Sequence, residues 1–302
     1  MRRPLALGLV ALTAWILGAA VGTAPSAPAG AAPMMTLQAA HKAEFLPALD
    51  GKKPIFILAL GSDARPGQNI LRERSDSIHI VGVNPAKHQA SILGFPRDSY
   101  VPIPGHGTNK ITSAMSFGGP QLTVKTVESL TGIHIDFYLL TSFQGLKNMV
   151  DSIGGVTVKV PFPMHDRFSG ADFEPGTRHM TGGQALAFAR DRHDVPGGDL
   201  GRSANQGRLL LAALAEFRGD FQKDPSVVLQ WMGAGLRNVH TDLPLDEILK
   251  LAFTAQRVNQ AKVKNVVVPS HGGSAGTQSV VFINDSAAKP LFANMKKDGL
   301  IN

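Results

Sequence analysis

Arg190 and Arg192 stand two residues apart in the stretch Ala187-Phe188-Ala189-Arg190-Asp191-Arg192-His193. In extended chain, residues two apart face the same way, so these guanidinium groups form parallel forks that can each grip phosphate oxygens bidentately. Asp199, Arg202 and Gln206 lie further along, and their spacing puts them on one face of a helix with Asp199 near its amino end. The opposite face carries Leu209, Leu210 and Leu214, so a polar side toward a pocket and an apolar side toward a core is the expected arrangement.

The first third of the chain holds a second set of charges. Asp63 and Arg65 lie just after the apolar run 54–60, Arg74 and Asp76 just before the run 77–83, and Arg97 and Asp98 just after the run 90–95. If these runs are neighbouring strands, Asp63 and Asp76 meet at one rim and can share a hard cation. Magnesium (or manganese) fits, because such an ion takes oxygen ligands and is usually held by one or two carboxylates plus substrate phosphate. Six arginines (65, 74, 97, 190, 192, 202) and four aspartates (63, 76, 98, 199) together describe a pocket for a pyrophosphate and a divalent metal. Singly, each has a plainer reading as a turn aspartate, a surface ion pair or part of a solvated helix face. Their shared position, at the ends of apolar runs or on one helix face, favours a site. Lys110, after a Pro-Gly-His-Gly loop, can reach phosphate or solvent.

The rest of the composition mainly excludes. A formal charge of +7 implies anionic partners. With no cysteine there is no disulfide, thiolate metal site or cysteine nucleophile. The ten histidines are dispersed without zinc-ligand spacing, and neither a P-loop nor a dinucleotide fingerprint is present. Nucleic acid is disfavoured by scattered basic residues and a 6% aromatic content.

These groups need a scaffold. Arg2 and Arg3 precede an uncharged stretch to Gly22 that as a helix would be about 28 Å long, close to a bilayer's hydrocarbon thickness. Residues 1–22 are expected to be a membrane anchor with the amino terminus in the cytoplasm, or a signal segment cleaved near Ala27-Pro28-Ala29; both place the rest of the chain outside the membrane. Residues 23–53 read as an Ala/Pro-rich spacer with a short helix. Residues 54–302 read as one α/β domain. Strands are expected at 54–60, 77–83, 90–95, 136–140, 156–160, 265–268 and 279–283. Helices are expected at 121–130, 143–152, 182–190, 200–217, 225–237, 245–258 and 287–297. The interleaving predicts a central sheet covered by helices, and a hairpin turn at Asn84-Pro85 with Lys87-His88 makes that sheet mixed. Gly118-Gly119-Pro120 reads as a helix stop and restart, and His271-Gly272-Gly273 as a loop.

In order along the chain, Gly61-Ser62-Asp63, Arg74-Ser75-Asp76, Pro96-Arg97-Asp98, Lys110-Ile111, Gly118-Gly119-Pro120, 151–156, Arg190-Asp191-Arg192 and Asp199-Leu200-Gly201-Arg202 resemble the LytR-CpsA-Psr family over residues 54–300. The resemblance implies a membrane-anchored glycopolymer transferase that holds a polyprenyl-pyrophosphate-linked glycan, its tail in an apolar channel. It implies Asp63 and Asp76 as metal carboxylates, Arg74, Arg97, Arg190, Arg192 and Arg202 as the diphosphate clamp, and Lys110, Asp199 and Gln206 as secondary contacts. The implied reaction is attack by a hydroxyl of peptidoglycan on the phosphorus nearer the glycan, with Asp76, Arg97, Arg190, Arg192 and Asp199 taking part. Asp76 or Asp199 could accept the proton, though metal-bound carboxylates are poor bases and neither is assigned. Thr112 and His193 depart from the usual pattern. A lipid pyrophosphatase and a non-catalytic envelope regulator that binds polyprenyl phosphates are the alternatives the residues leave open.

Overall fold

The structure, a computed structural model, describes residues 53–302. The chain runs β1 (Ile55–Ser62), β2 (Ser75–Asn84), β3 (Gln89–Gly94), β4 (Tyr100–Pro102), β5 (Thr108–Lys110) and α1 (Ser113–Thr131). There follow β6 (Phe137–Ser142), α2 (Phe143–Ser152), β7 (Val156–Val160), β8 (Gly176–Met180), α3 (Gly182–Arg190), α4 (Asp199–Lys223) and α5 (Val227–Asn238). It ends with β9 (Val239–Thr241), α6 (Leu245–Arg257), β10 (Lys264–Val267), β11 (Ser270–Ala275), β12 (Gln278–Ile283) and α7 (Asp285–Asp298).

Six strands form one mixed sheet in the order β10-β3-β2-β1-β6-β9. β1 and β2 are antiparallel, as are β2 and β3, while β1 runs parallel to β6 and β10 parallel to β3. The α/β class and the mixed sheet are thus as the sequence predicts. β1 reads as an unbroken apolar run because both its faces are covered. Phe56, Leu58 and Leu60 join a core with Ile78, Ile80, Met115 of α1 and Phe292 of α7. Ile55 and Ile57 join another with Phe137, Leu243 and Val258. A separate apolar cluster, with Val156, Val158, Met180, Phe188 and Leu209, ties β7 and β8 to α3 and α4.

The pairing directions decide where the charged loops go. The ends of β1, β3 and β6 and the starts of β2 and β9 all lie at one rim of the sheet. The β2–β3 hairpin turns where expected, with His88 left-handed at φ 52° and the Lys87 amide donating to Asn84 Oδ1 at 2.9 Å. Several local expectations are corrected. Residues 271–273 are not a loop but part of β11, paired with β12. β4, β5, β8 and β9 escape a reading of the sequence because they are short, and β8 is also largely exposed and polar. α1 begins at Ser113, well before 121, and is interrupted at Gly119, whose non-helical φ of 70° and ψ of −162° a side chain would disfavour, so the helix stops and restarts at 118–120 as expected. The expected anchor at 1–22, and nearly all of the spacer, lie outside the described residues. Among the described residues no helix is long and apolar enough to cross a membrane.

α4 is held on the sheet by a buried histidine. His79 of β2 is fully buried, with Nε2 donating to the Ser203 carbonyl at 3.0 Å and Nδ1 3.1 Å from Ser77 Oγ. A Cβ on Gly94 would sit 2.5 Å from Ser203 Oγ and 2.9 Å from His79 Nε2, so only glycine permits this approach. Burial lowers the His79 pKa from 6.5 to about 4, although the Ser203 hydrogen bond opposes it. The neutral ring is therefore the folded form. Its contribution is fully present above pH 6.5 and is lost as pH falls from there through about 4, because the unfolded chain binds the proton more readily. At about 1.4 kcal/mol per unit, acidification should cost about 3 kcal/mol through this residue. Urea unfolding from pH 7 to pH 4 would measure it, and His79→Gln should remove most of that slope; an unchanged slope would refute the assignment.

Candidate functional site

A cavity of about 710 Å³ opens at the rim where the strand ends gather. Asp63 reaches it from the end of β1, Asp76 from the start of β2, and Arg97 from just past β3. Arg190 comes from the last turn of α3, Arg192 from the coil beyond it, and Arg202 and Gln206 from α4. Arg65, Phe143, Asp166, Phe168 and His193 also line it. Residues separated by more than a hundred positions are thus collected by the order of the strands and by the packing of α3 and α4 at their rim.

Within the cavity the charges are arranged in pairs with spare capacity. Arg97 Nη1 donates to Asp76 Oδ1 at 2.6 Å, both side chains mostly buried, and Arg97 Nε is buried without a partner. Burial opposes the charge on Arg97, but Asp76, with Asp98 and Asp199, outweighs it and holds its pKa above the ordinary arginine value. The half-buried Asp63 carboxylate makes no hydrogen bond or ion pair among the described residues. Burial raises its pKa, Asp76 and Glu73 raise it further, and Arg97 and Arg74 oppose the shift. Two carboxylates that repel each other, one of them unpartnered, are a donor set that a divalent cation would satisfy. No group of three or more metal-ligating side chains exists among the described residues, so further ligands would come from phosphate or water.

Arg202 is almost fully buried and bonded through Nη2 to Asp199 Oδ1. Burial lowers its pKa, with Asp199 as the chief opposing influence. Gln206 Nε2 donates to the carbonyls of Asp76 and Ala189, each at 3.2 Å, and so ties β2 to the end of α3. Arg190 differs from its neighbours: its guanidinium lies 5.0 Å from the Phe143 ring centroid and has no acidic partner among the described residues. Arg190 and Arg192 do not both project from extended chain, as the spacing suggests, because Arg190 closes a helix and the extended backbone begins at Asp191. Asp191 turns inward, fully buried, and its pKa is raised by burial and by Asp194.

Other expected residues lie elsewhere. Arg74 is exposed and does not line the cavity; its carbonyl accepts the Asp63 amide at 3.0 Å. Lys110 is not among the lining residues either, its ammonium being bonded to Asp98 Oδ1 at 3.1 Å. Asp199 is behind the wall, engaged with Arg202. Thr112 is a structural tie, its hydroxyl donating to the Ser75 carbonyl at 2.9 Å and its amide to the Arg97 carbonyl at 3.1 Å. Leu209 lies in the core as expected, and it and Leu210 also border this cavity. Phe143, Asp166 and Phe168 do not stand out in the sequence, since a single aromatic or acid in a loop carries no periodic signal.

A second cavity, of about 330 Å³, is lined almost wholly by apolar side chains from α4, α5, α6 and the β6–β9 edge, among them Leu214, Phe217, Trp231, Met232 and Leu251. Leu139 and Val239 line both cavities, so the charged pocket and the apolar one adjoin at these residues.

Known proteins share this architecture. The chain is 32% identical over 243 residues, 80% of its length and 77% of the relative's, to the polyisoprenyl-teichoic acid--peptidoglycan teichoic acid transferase TagU of Bacillus mycoides. The structure of TagT bound to LI-WTA superposes with a TM-score of 0.69 at 26% identity, covering 88% of this chain and 96% of TagT. TagV of B. subtilis superposes with a TM-score of 0.68 at 28% identity, covering 82% and 97%. The LytR_cpsA_psr family profile matches residues 27–297, and with these relatives in agreement the chain belongs to the LytR_cpsA_psr family.

Proposed function

We propose that this protein transfers a glycopolymer from a polyprenyl-pyrophosphate carrier to a hydroxyl of peptidoglycan, leaving a phosphodiester between the two polymers. The observation that carries the reading is the junction at Leu139 and Val239, where a cavity of guanidinium and carboxylate groups meets one lined almost wholly by apolar side chains. An amphiphile with a diphosphate head and an isoprenoid tail fits both halves. A TagU relative whose name carries polyisoprenyl-teichoic acid and peptidoglycan, and a TagT structure bound to LI-WTA, support the same chemistry.

Each residue then has a physical task. Arg190 and Arg192 grip the diphosphate from one side, and Arg97 and Arg202 from the other, where burial strengthens their charge-assisted bonds. Gln206 keeps β2 and α3 in register so that both groups of arginines face one point. As the phosphodiester forms, negative charge grows on the bridging and equatorial oxygens, and these fixed cations lower its energy without reorganising. Asp63 and Asp76 would hold Mg²⁺ or Mn²⁺, which when bound neutralises phosphate charge. Arg74 and Lys110, outside the cavity, shape the local field rather than touch the diphosphate. The protein works on the outer face of the membrane, tethered by its amino-terminal segment.

The full chain in vesicles, given a synthetic polyprenyl pyrophosphate bearing a labelled glycan and peptidoglycan fragments, should move label onto peptidoglycan and release polyprenyl monophosphate. Release of free phosphoglycan with unlabelled peptidoglycan would instead make it a pyrophosphatase. Tight capture of the lipid without turnover would make it a binding regulator.

A further inference from the structure

The proposed reaction needs a group to take the proton of the attacking hydroxyl, and the carboxylates that the charge pattern offers for that task are engaged. Asp199 is bonded to Arg202, and Asp76 to Arg97. Asp63 and Asp76 are also the pair suited to a cation. His79 is fully buried with both ring nitrogens occupied. With Asp63 and Asp76 set aside for that cation, the cavity wall among the described residues keeps one imidazole with a free lone pair, and it comes from the loop after the arginine pair.

His193 lines the cavity with its side chain 45% exposed, open to a bulky incoming acceptor. Its Nδ1 lies 3.0 Å from Oδ2 of Asp166, whose side chain is 2% exposed. Asp166 is in turn held by the amides of Phe168 at 2.9 Å and Ser169 at 3.2 Å. The Phe168 ring packs against the imidazole with centroids 4.7 Å apart, which fixes the plane of the ring. Nε2 has no partner among the described residues.

We infer that His193 is the general base of the transfer, oriented by Asp166, and that Nε2 accepts the proton of the acceptor hydroxyl. The inference rests on the transferase reading above. Burial alone would raise the Asp166 pKa, but the hydrogen bonds from His193, Phe168 and Ser169 outweigh it and bring it down to about 2. An ionised carboxylate can only accept, so Nδ1 carries the hydrogen and Nε2 of the neutral ring carries the lone pair. The arrangement is that of a base oriented by a buried acid, and Asp166 acts as a positioning residue.

The step balances without a further reagent. The oxygen–hydrogen pair of the acceptor becomes the new oxygen–phosphorus bond, and its proton goes to Nε2. The bond from that phosphorus to the bridging oxygen breaks, and its electrons leave on polyprenyl monophosphate. The imidazolium then releases its proton to solvent through its exposed edge. The charged groups around the ring are Asp166 on Nδ1, Asp191 and Asp194 of its own loop, and Arg192 beside it. His165, whose amide donates to Asp194, and Arg167, over the Phe168 ring at 5.0 Å, complete the set.

The test uses the full chain in vesicles with the synthetic glycan-bearing polyprenyl pyrophosphate and peptidoglycan fragments. His193→Gln should lower kcat about 100-fold or more, with donor affinity within about 2-fold of the wild type. Free imidazole should restore part of the rate to His193→Gly, a rescue that a merely structural role would not show. Asp166→Asn should lower kcat with KM for the donor retained, and because Asp166 caps a turn its melting curve is compared with wild type. A His193→Gln protein that transfers within about 3-fold of wild type, or a His193→Gly protein that free imidazole does not rescue, overturns the inference while leaving the transferase reading in place. A wild-type protein that moves no glycan onto peptidoglycan overturns both.

Discussion

Arg190→Ala should lower glycan transfer by about 100- to 1,000-fold, the roughly 2.7–4 kcal/mol typical of removing one preorganised donor from a site where phosphate charge develops. Stability should hardly change. The Arg190 guanidinium has no acidic partner among the described residues, and its contact with the Phe143 ring, at 5.0 Å, is worth about 0.5–1 kcal/mol at an exposed site. This separates it from Arg202, whose removal would leave Asp199 buried without its cation and would confuse folding with function. Arg190→Lys keeps the charge but loses the planar fork, so it should recover only part of the rate. Steady-state transfer assays beside thermal melts decide the matter: an Arg190→Ala protein with wild-type transfer would remove the clamp from the mechanism.

Phe188→Ala should cost about 3–5 kcal/mol of unfolding free energy, the usual loss for truncating a buried phenylalanine. Phe188 is fully buried in the cluster that joins β7 and β8 to α3 and α4. It lies two residues before Arg190, so the same packing that stabilises this part of the protein aims the guanidinium. Transfer should therefore fall even at temperatures where most of the variant remains folded. Urea titration with the slope held at its wild-type value would read the stability term, and a loss below about 1 kcal/mol would show that this cluster does not pin α3.

Both predictions join a strong local signal to a contact that no local signal shows. The strands and helices were legible because their apolar residues repeat at periods of two and 3.6, or run unbroken where both faces are covered. The weak strands β4, β8 and β11 were not, since short polar or glycine-rich segments gain their structure from a partner rather than from their own pattern. The site divides in the same way. Asp63, Asp76, Arg97, Arg190, Arg192, Arg202 and Gln206 stand out as charged or polar groups at the ends of apolar runs or on a helix face, and the structure brings all of them to one cavity. Arg74, Lys110 and Asp199 carry the same signal but lie off its wall. An ion-pair partner, for Lys110 and Asp199, or an outward turn, for Arg74, decides that, and spacing cannot reveal it.

What the amino-acid order determined alone was the set of elements, their apolar faces, the charged loops at their ends and the family motifs. These depend on neighbours within a few residues, and local sterics and periodicity suffice to read them. Only the tertiary structure decided that Asp166 of one loop holds His193 of another, and that an apolar cavity adjoins the charged one at Leu139 and Val239. Such contacts join residues far apart in sequence, and their energies come from burial and distance in the folded chain, neither of which exists before the sheet has assembled.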